Sequence, residues 1–294
     1  MSPPGVMTAW WLATRPKTLA AGIVPVLVGT AVAQMHGGFQ LLPAFACIIG
    51  SLLIQIATNL ANDYFDHKKG ADTEARIGPA RAVQKGWIAP RTMAIATLFC
   101  LTLALLVGLY LINIGGWPIA AIGVASLVCA VAYTGGPVPL AYVGLGDLFV
   151  FLFFGLAAVG GTVFVQLLYV PQEAWIAGAC IGLLATAILV VNNLRDRETD
   201  EVANKRTLAV RFGPKVARTE HMLCLIMPYV LIGGAVMTGI APLGWLVTFV
   251  SLPLAVKEVR DVNQKDGPAL NVHLAGAARV ELVFGLLLCV GSWQ

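Results

Sequence analysis

Charge is what this sequence has least of. Asp, Glu, Lys and Arg make up 12% of the 294 residues, against 58% hydrophobic residues. A soluble domain carries about 25% charge, so half the usual polar covering is missing. That deficit excludes a soluble enzyme, a disordered chain and a secreted disulfide scaffold. Paired cysteines are missing too. Cys47, Cys100, Cys129, Cys180, Cys224 and Cys289 stand singly in apolar runs, which excludes a zinc knuckle or a redox CxxC pair. The histidines His36, His67, His221 and His273 are scattered. No soft-metal site and no Walker-type phosphate loop is visible.

What is present is long apolar runs, with a mean hydropathy of +0.82. A helix that crosses a bilayer needs about 20 such residues. Breaks in the runs predict an all-α membrane protein of nine spans, near 16–35, 41–63, 91–113, 117–134, 147–168, 173–195, 217–238, 242–256 and 273–291. The whole chain, 1–294, reads as one transmembrane domain with cap loops at about 64–90 and 196–216.

The basic residues check that count. All 19 but Arg279 fall at the N-terminus or in the connections after spans two, six and eight. Nine spans place those connections on one side. The positive-inside rule then puts the N-terminus and these loops in the cytoplasm. A multi-pass protein of the inner, cytoplasmic membrane is expected, with membrane lipids as its surroundings and no nucleic-acid partner. Trp10, Trp11, Trp117, Trp175 and Trp245 read as interfacial anchors. Lys68, Lys69, Lys85 and Lys215 read as lipid-headgroup contacts.

More than half of the 15 acids gather in two clusters. One runs Asn59-Leu-Ala-Asn62-Asp63-Tyr-Phe-Asp66 and on to Asp72 and Glu74. The other runs Asn192-Asn193-Leu-Arg195-Asp196-Arg-Glu198-Thr-Asp200-Glu201. Each closes a span at its cytoplasmic end. Asp63 and Asp66 share a helix face, as do Asn192, Asp196 and Asp200. A helix C-terminus is already negative, so stacked carboxylates there call for a cation. Polar groups this deep in a span are functional by default. Oxygen ligands alone point to a hard ion such as Mg²⁺, completed by phosphate oxygens. Arg76, Arg81, Lys205 and Arg206 follow the clusters and suit phosphate. Apolar spans around such a site point to a lipid diphosphate. A cation-coupled transporter is the alternative of another class.

The motifs go further. Asn62-Asp63-x-x-Asp66 with Asp72, and Asp196-x-x-x-Asp200, resemble the UbiA superfamily of intramembrane prenyltransferases. Arg15-Pro-Lys17, Gly70-x-Asp72, Arg76-Ile-Gly-Pro-x-Arg81, Gln84-Lys-Gly86, Gly144-Leu-Gly-Asp147 and Lys205-x-Thr-Leu-x-Val-Arg211 resemble its naphthoate branch.

The resemblance implies nine helices around a central cavity. It implies Mg²⁺ held by Asp63, Asp66, Asp72, Asp196 and Asp200. The substrates it implies are a polyprenyl diphosphate and 1,4-dihydroxy-2-naphthoate, joined with decarboxylation in menaquinone biosynthesis. Asn59, Asn192, Arg76, Arg81, Lys205 and Arg206 are then candidates for the donor. Asp147 and Tyr133 are candidates for the acceptor, Arg15 and Lys17 for its carboxylate. Asp147 also suits a helix N-cap. An acceptor such as 4-hydroxybenzoate remains open.

Overall fold

A computed structural model describes residues 4–70 and 77–293, the side chain of Lys17 excepted. Asp72 and Arg76, and the side chain of Lys17, therefore lie outside the described residues. Among those described, every regular element is helical. Seven helices are long and apolar enough to cross a membrane.

A short α1 (Val6–Ala13) leads into α2 (Pro16–Met35) through Arg15, whose backbone is left-handed at φ 53°. The next helix, α3 (Leu41–Lys68), carries the first acidic motif at its end. It is followed by α4 (Pro90–Ala132), 43 residues long. At 1.5 Å per residue this is about twice a bilayer's thickness. It is not straight. Gly116 sits at φ 66°, ψ −150°, a region only glycine enters readily. Pro118 just beyond has no N–H to rejoin the ladder. The two limbs correspond to the spans expected at 91–113 and 117–134.

One continuous helical span in three stretches, Gly146–Leu167, comes next. It is made of α5 (Gly146–Val150) and α6 (Ala158–Leu167), joined by a π-helical stretch over Phe151–Ala157. Such bulges are rare and cluster at functional sites. Here Gly155 lies against α7 (Gln172–Arg195). A Cβ at Gly155 would fall 2.6 Å from the Cα of Gly182. Helix α7 is the centre of the bundle. Cys180, Ile181, Leu184 and Ala187 on it are fully buried, and they join Val24, Leu225 and Phe284 of three other helices in one core.

The rest is α8 (Arg197–Val202), α9 (Leu208–Met237), α10 (Leu252–Asn263) and α11 (Asn271–Gly291). Thr207 caps α9, accepting from the Val210 amide at 3.3 Å. The helix breaks at Gly213 (φ 81°) before Pro214. It thus begins well before the expected residue 217. The expected span at 242–256 is a 3₁₀ stretch, Leu243–Ser251, that runs on into α10. Trp245 corrects the sequence reading. It is no interfacial anchor: it is fully buried, and its Nε1 donates to Ser292 Oγ at 2.8 Å.

Candidate active site

The last turns of α3 and α7 meet at one end of a cavity of about 380 Å³. Its polar end is lined by Arg15, Asn59, Asp66, Arg81, Tyr133, Asn192, Asp196 and Lys205. Its other walls are apolar and come from α2, α3, both limbs of α4 and the α5–α6 span. They include Ile112, Ile119, Ile122, Phe149 and Phe153.

The first motif holds the cap that follows it. Asp63 accepts the backbone N–H of Ala82 at 2.9 Å and that of Val83 at 3.2 Å. Asp66 accepts from Arg81 at 2.8 Å and from the Tyr142 hydroxyl at 3.0 Å. Asn62 accepts from Thr134 Oγ1 at 2.7 Å. Asn59 donates to Thr14 O at 2.9 Å and Thr18 Oγ1 at 3.2 Å, which ties the α1–α2 corner to the site. Charge-assisted bonds of this length are the strong kind.

The second motif is locked by Arg195. Its guanidinium reaches Asp196 Oδ1 at 2.7 Å, Asn192 Oδ1 at 2.8 Å and Asn271 Oδ1 at 3.1 Å. Asn271 in turn donates to Ile77 O at 3.2 Å, joining α11 to the first cap. Asp200 pairs with Lys205 at 3.5 Å. Burial pushes the Asp200 carboxyl up to about 6, although Lys205 pulls the other way. Its Oδ2 is buried with no hydrogen-bond partner among the described residues.

That orphaned oxygen tests whether the donor set fits Mg²⁺. Among the described residues no three His, Cys, Asp or Glu side chains converge to cage a metal alone. The carboxylate oxygens are instead spread across the two motifs: Asp66 and Asp196 face the cavity, each already held by an arginine, and the unpartnered Oδ2 is on Asp200 outside the lining. This suits an ion that takes one or two carboxylates, keeps water and is completed by substrate phosphate. The residues fit that mode.

The structure therefore brings Asn59, Asp66, Arg81, Tyr133, Asn192, Asp196 and Lys205 to one cavity. Asp63, Asp147, Asp200 and Arg206 are not among its lining. Asp147 is buried and accepts from Asn193 Nδ2 at 3.4 Å, although Asn193 itself reaches the cavity. No side-chain cap bond starts α5, so the N-cap reading of Asp147 does not hold. Arg206 lines a separate exposed notch with Glu201, Asn204, Lys205 and Arg211.

Lys69 qualifies a second sequence reading. It stays exposed, but it also has partners within the chain. Its Nζ donates to Thr134 O at 2.6 Å and stands 4.5 Å from the centre of the Tyr142 ring. Burial lowers its pKa, an effect opposed by Asp66. Sequence reasoning also missed Tyr142, Arg195, Thr134 and Asn271. Tyr142 sits in an uncharged Gly/Pro-rich loop and Asn271 stands alone before α11. Only Arg195, between Asn192 and Asp196, carried a local signal.

The chain is 36% identical over 292 residues to the 1,4-dihydroxy-2-naphthoate octaprenyltransferase of Haemophilus influenzae, covering 96% of this chain and 94% of that protein. It is 38% identical over 298 residues to the enzyme of the same name from Escherichia coli, covering 97% and 96%. Among solved structures, a UbiA homolog from Aeropyrum pernix K1 superposes with a TM-score of 0.73 at 13% identity, over 93% of this chain and 97% of that one. A UbiA homolog from Archaeoglobus fulgidus bound to GPP and Mg²⁺ superposes with a TM-score of 0.68 at 13% identity, over 96% and 99%. At such identity these two speak for the fold alone. The model of the UbiA prenyltransferase family matches residues 22–274, and the chain belongs to that family.

Proposed function

We propose that the protein transfers a polyprenyl group from polyprenyl diphosphate to 1,4-dihydroxy-2-naphthoate, with loss of the carboxylate. The products are demethylmenaquinol, CO₂ and diphosphate, in menaquinone biosynthesis. One observation carries the reading. Two acidic motifs, each with a cavity-facing Asp beside an arginine, close one end of a cavity whose other walls are apolar. The names of the relatives supply the acceptor.

The donor's diphosphate would lie between the motifs, with Arg81 and Lys205 against its oxygens. Asp66, Asp196 and Asp200, with Asp63 and Asp72 close in sequence, are the residues that would hold Mg²⁺. That ion, when bound, supplies Lewis-acid stabilisation of the leaving diphosphate. The C–O bond of the donor breaks with its electron pair on the diphosphate. Arg81 and Lys205 stabilise that charge as it develops. The allylic cation left behind is exposed to any water. Phe149, Phe153 and Ile122 give the cavity apolar walls, which disfavour water beside the cation. The electron-rich ring attacks the cation to form the new C–C bond, and the bond from the ring to its carboxylate breaks, releasing CO₂ and returning the electron pair to the ring. Tyr133, with Asp147 and Asn193 nearby, would orient the ring, and Arg15 would meet its carboxylate.

The nine-span reading with a cytoplasmic N-terminus belongs to the same proposal. The two limbs of α4 and the Leu243–Asn263 stretch supply the spans beyond the seven. The acids and their basic partners then face the cytoplasm of a bacterial inner membrane.

The experiment is turnover of the purified protein in liposomes with a polyprenyl diphosphate, Mg²⁺ and 1,4-dihydroxy-2-naphthoate. The expected product is a prenylated naphthoquinol lacking the carboxylate mass. Movement of a cation across the vesicle wall with no prenylated product would favour the transporter instead.

A further inference from the structure

Tyr142 belongs to neither acidic motif, yet it touches the first and the segment that follows the second. Its hydroxyl donates to Asp66 of the first at 3.0 Å. Its backbone carbonyl accepts the N–H of Arg206, just beyond the second, at 2.9 Å. The loop that carries it is bolted to the same segment twice more. Arg211 donates to Val143 O at 2.9 Å. Gly144, at φ 77°, lies so close to Arg206 that a Cβ would meet its carbonyl oxygen at 2.8 Å.

The ring itself faces two ammonium groups from different parts of the chain. Lys69 Nζ, at the end of α3, is 4.5 Å from its centre, and Lys205 Nζ, before α9, is 6.0 Å away. Two like charges gathered at one place repel. The negative face of an aromatic ring attracts each of them and offsets that repulsion. Lys205 also lines the cavity, beside Asp196 and Arg81. A ring that holds Lys205 in place before an anion arrives lowers the ordering cost of binding that anion.

We infer that Tyr142 is a positioning residue for the donor's diphosphate. Its ring steadies Lys205 at the polar end of the cavity, with Lys69 on the same ring outside the lining, and its hydroxyl fixes Asp66. It touches neither reacting atom. The inference rests on the donor-site reading above.

The test separates ring from hydroxyl with Y142F and Y142L in the full-length protein, measured in liposomes. Donor KM, acceptor KM and half-saturating Mg²⁺ are determined for each. Y142L is expected to raise the donor KM about fivefold to tenfold, the range of a lost cation–ring contact. The acceptor KM stays at the wild-type value. Y142F keeps the ring, so its donor KM stays within about twofold of wild type. Its half-saturating Mg²⁺ rises, because Asp66 has lost a bond that fixed it.

A tyrosine with a purely structural role would give another pattern. Y142F and Y142L would then raise both KM values together, or Y142L would leave the donor KM unchanged. Either result overturns the inference. If Y142L does not fold, Tyr142→Met, which keeps the bulk but has no ring face, takes its place. It must raise the donor KM and spare the acceptor KM, and an unchanged donor KM overturns the inference as well. Wild-type protein that makes no prenylated product would instead sink the donor-site reading.

Discussion

Arg81 reaches back fifteen residues to place its guanidinium 2.8 Å from the carboxylate of Asp66, and both side chains are buried. A buried pair of this kind is weak evidence for stability, because desolvation cancels much of its attraction. Its position says more. It joins the first motif to the cap, at the edge of the cavity that Asp66 and Arg81 share with Asp196 and Lys205.

Arg81 is therefore expected to matter for the leaving group. Arg81→Met should lower kcat by about 10²–10³, the range for removal of one donor to a developing anion. Arg81→Lys should recover part of this, since a point charge replaces a fork. Steady-state kinetics with saturating donor check it. A kcat within twofold of wild type in R81M would remove Arg81 from the site.

The two motifs differ in what their first Asp does. Asp63 accepts two cap amides, whereas Asp196 faces the cavity and is gripped by Arg195. Asp196→Asn should abolish turnover and leave the folded protein intact by size-exclusion elution. Asp63→Asn should also abolish turnover, but with faster proteolysis within residues 64–90. Limited digestion followed by mass spectrometry reads the difference. Equal protection in the two variants would contradict the anchoring role of Asp63.

That difference marks how far the sequence was legible. The membrane class, most of the span positions and the two acidic helix ends follow from apolar runs and charge placement. These are local signals. Which carboxylates face the cavity is not local, because it depends on where a cap folds back. Asp63 and Asp66 are one helical turn apart, yet one holds backbone amides and the other faces a cavity. Lys69 looked like nothing more than a headgroup contact because the partners Thr134 and Tyr142 are some 65 to 75 residues away. Trp245 was misread for the same reason, since Ser292 lies 47 residues on.

Glu281 makes a separate prediction. It is fully buried in α11, and neither carboxylate oxygen has a hydrogen-bond partner among the described residues. Its neighbours one turn either way, Ala277 and Gly285, pack against the core. A buried polar group without a partner destabilises by about 1–3 kcal/mol. Glu281→Leu should thus raise the thermal midpoint by about 2–8 °C and leave turnover unchanged. A fall in the midpoint, read by thermal unfolding in detergent, would mean that the carboxyl is satisfied in the membrane.

Gly116 tests the break in α4. Its φ of 66° with ψ −150° excludes a side chain without strain. Gly116→Val should cost about 1–3 kcal/mol and lower the thermal midpoint. At Gly108 on the same helix an added Cβ would meet nothing within 4 Å, and Gly108→Ala is expected to be neutral. Parallel melting curves compare the two. Equal melting would contradict the break.

The central claim is that the two motifs bind a polyprenyl diphosphate with Mg²⁺ and pass its chain to a naphthoate. The most direct measurement is a competition. The protein in liposomes is given a polyprenyl diphosphate, Mg²⁺, and 1,4-dihydroxy-2-naphthoate together with 4-hydroxybenzoate, with and without a chelator, and the products are weighed by mass spectrometry. The account predicts a prenylated naphthoquinol without its carboxylate, absent when the metal is chelated. A prenylated hydroxybenzoate as the main product, or a naphthoquinol that forms in the presence of chelator, would contradict it.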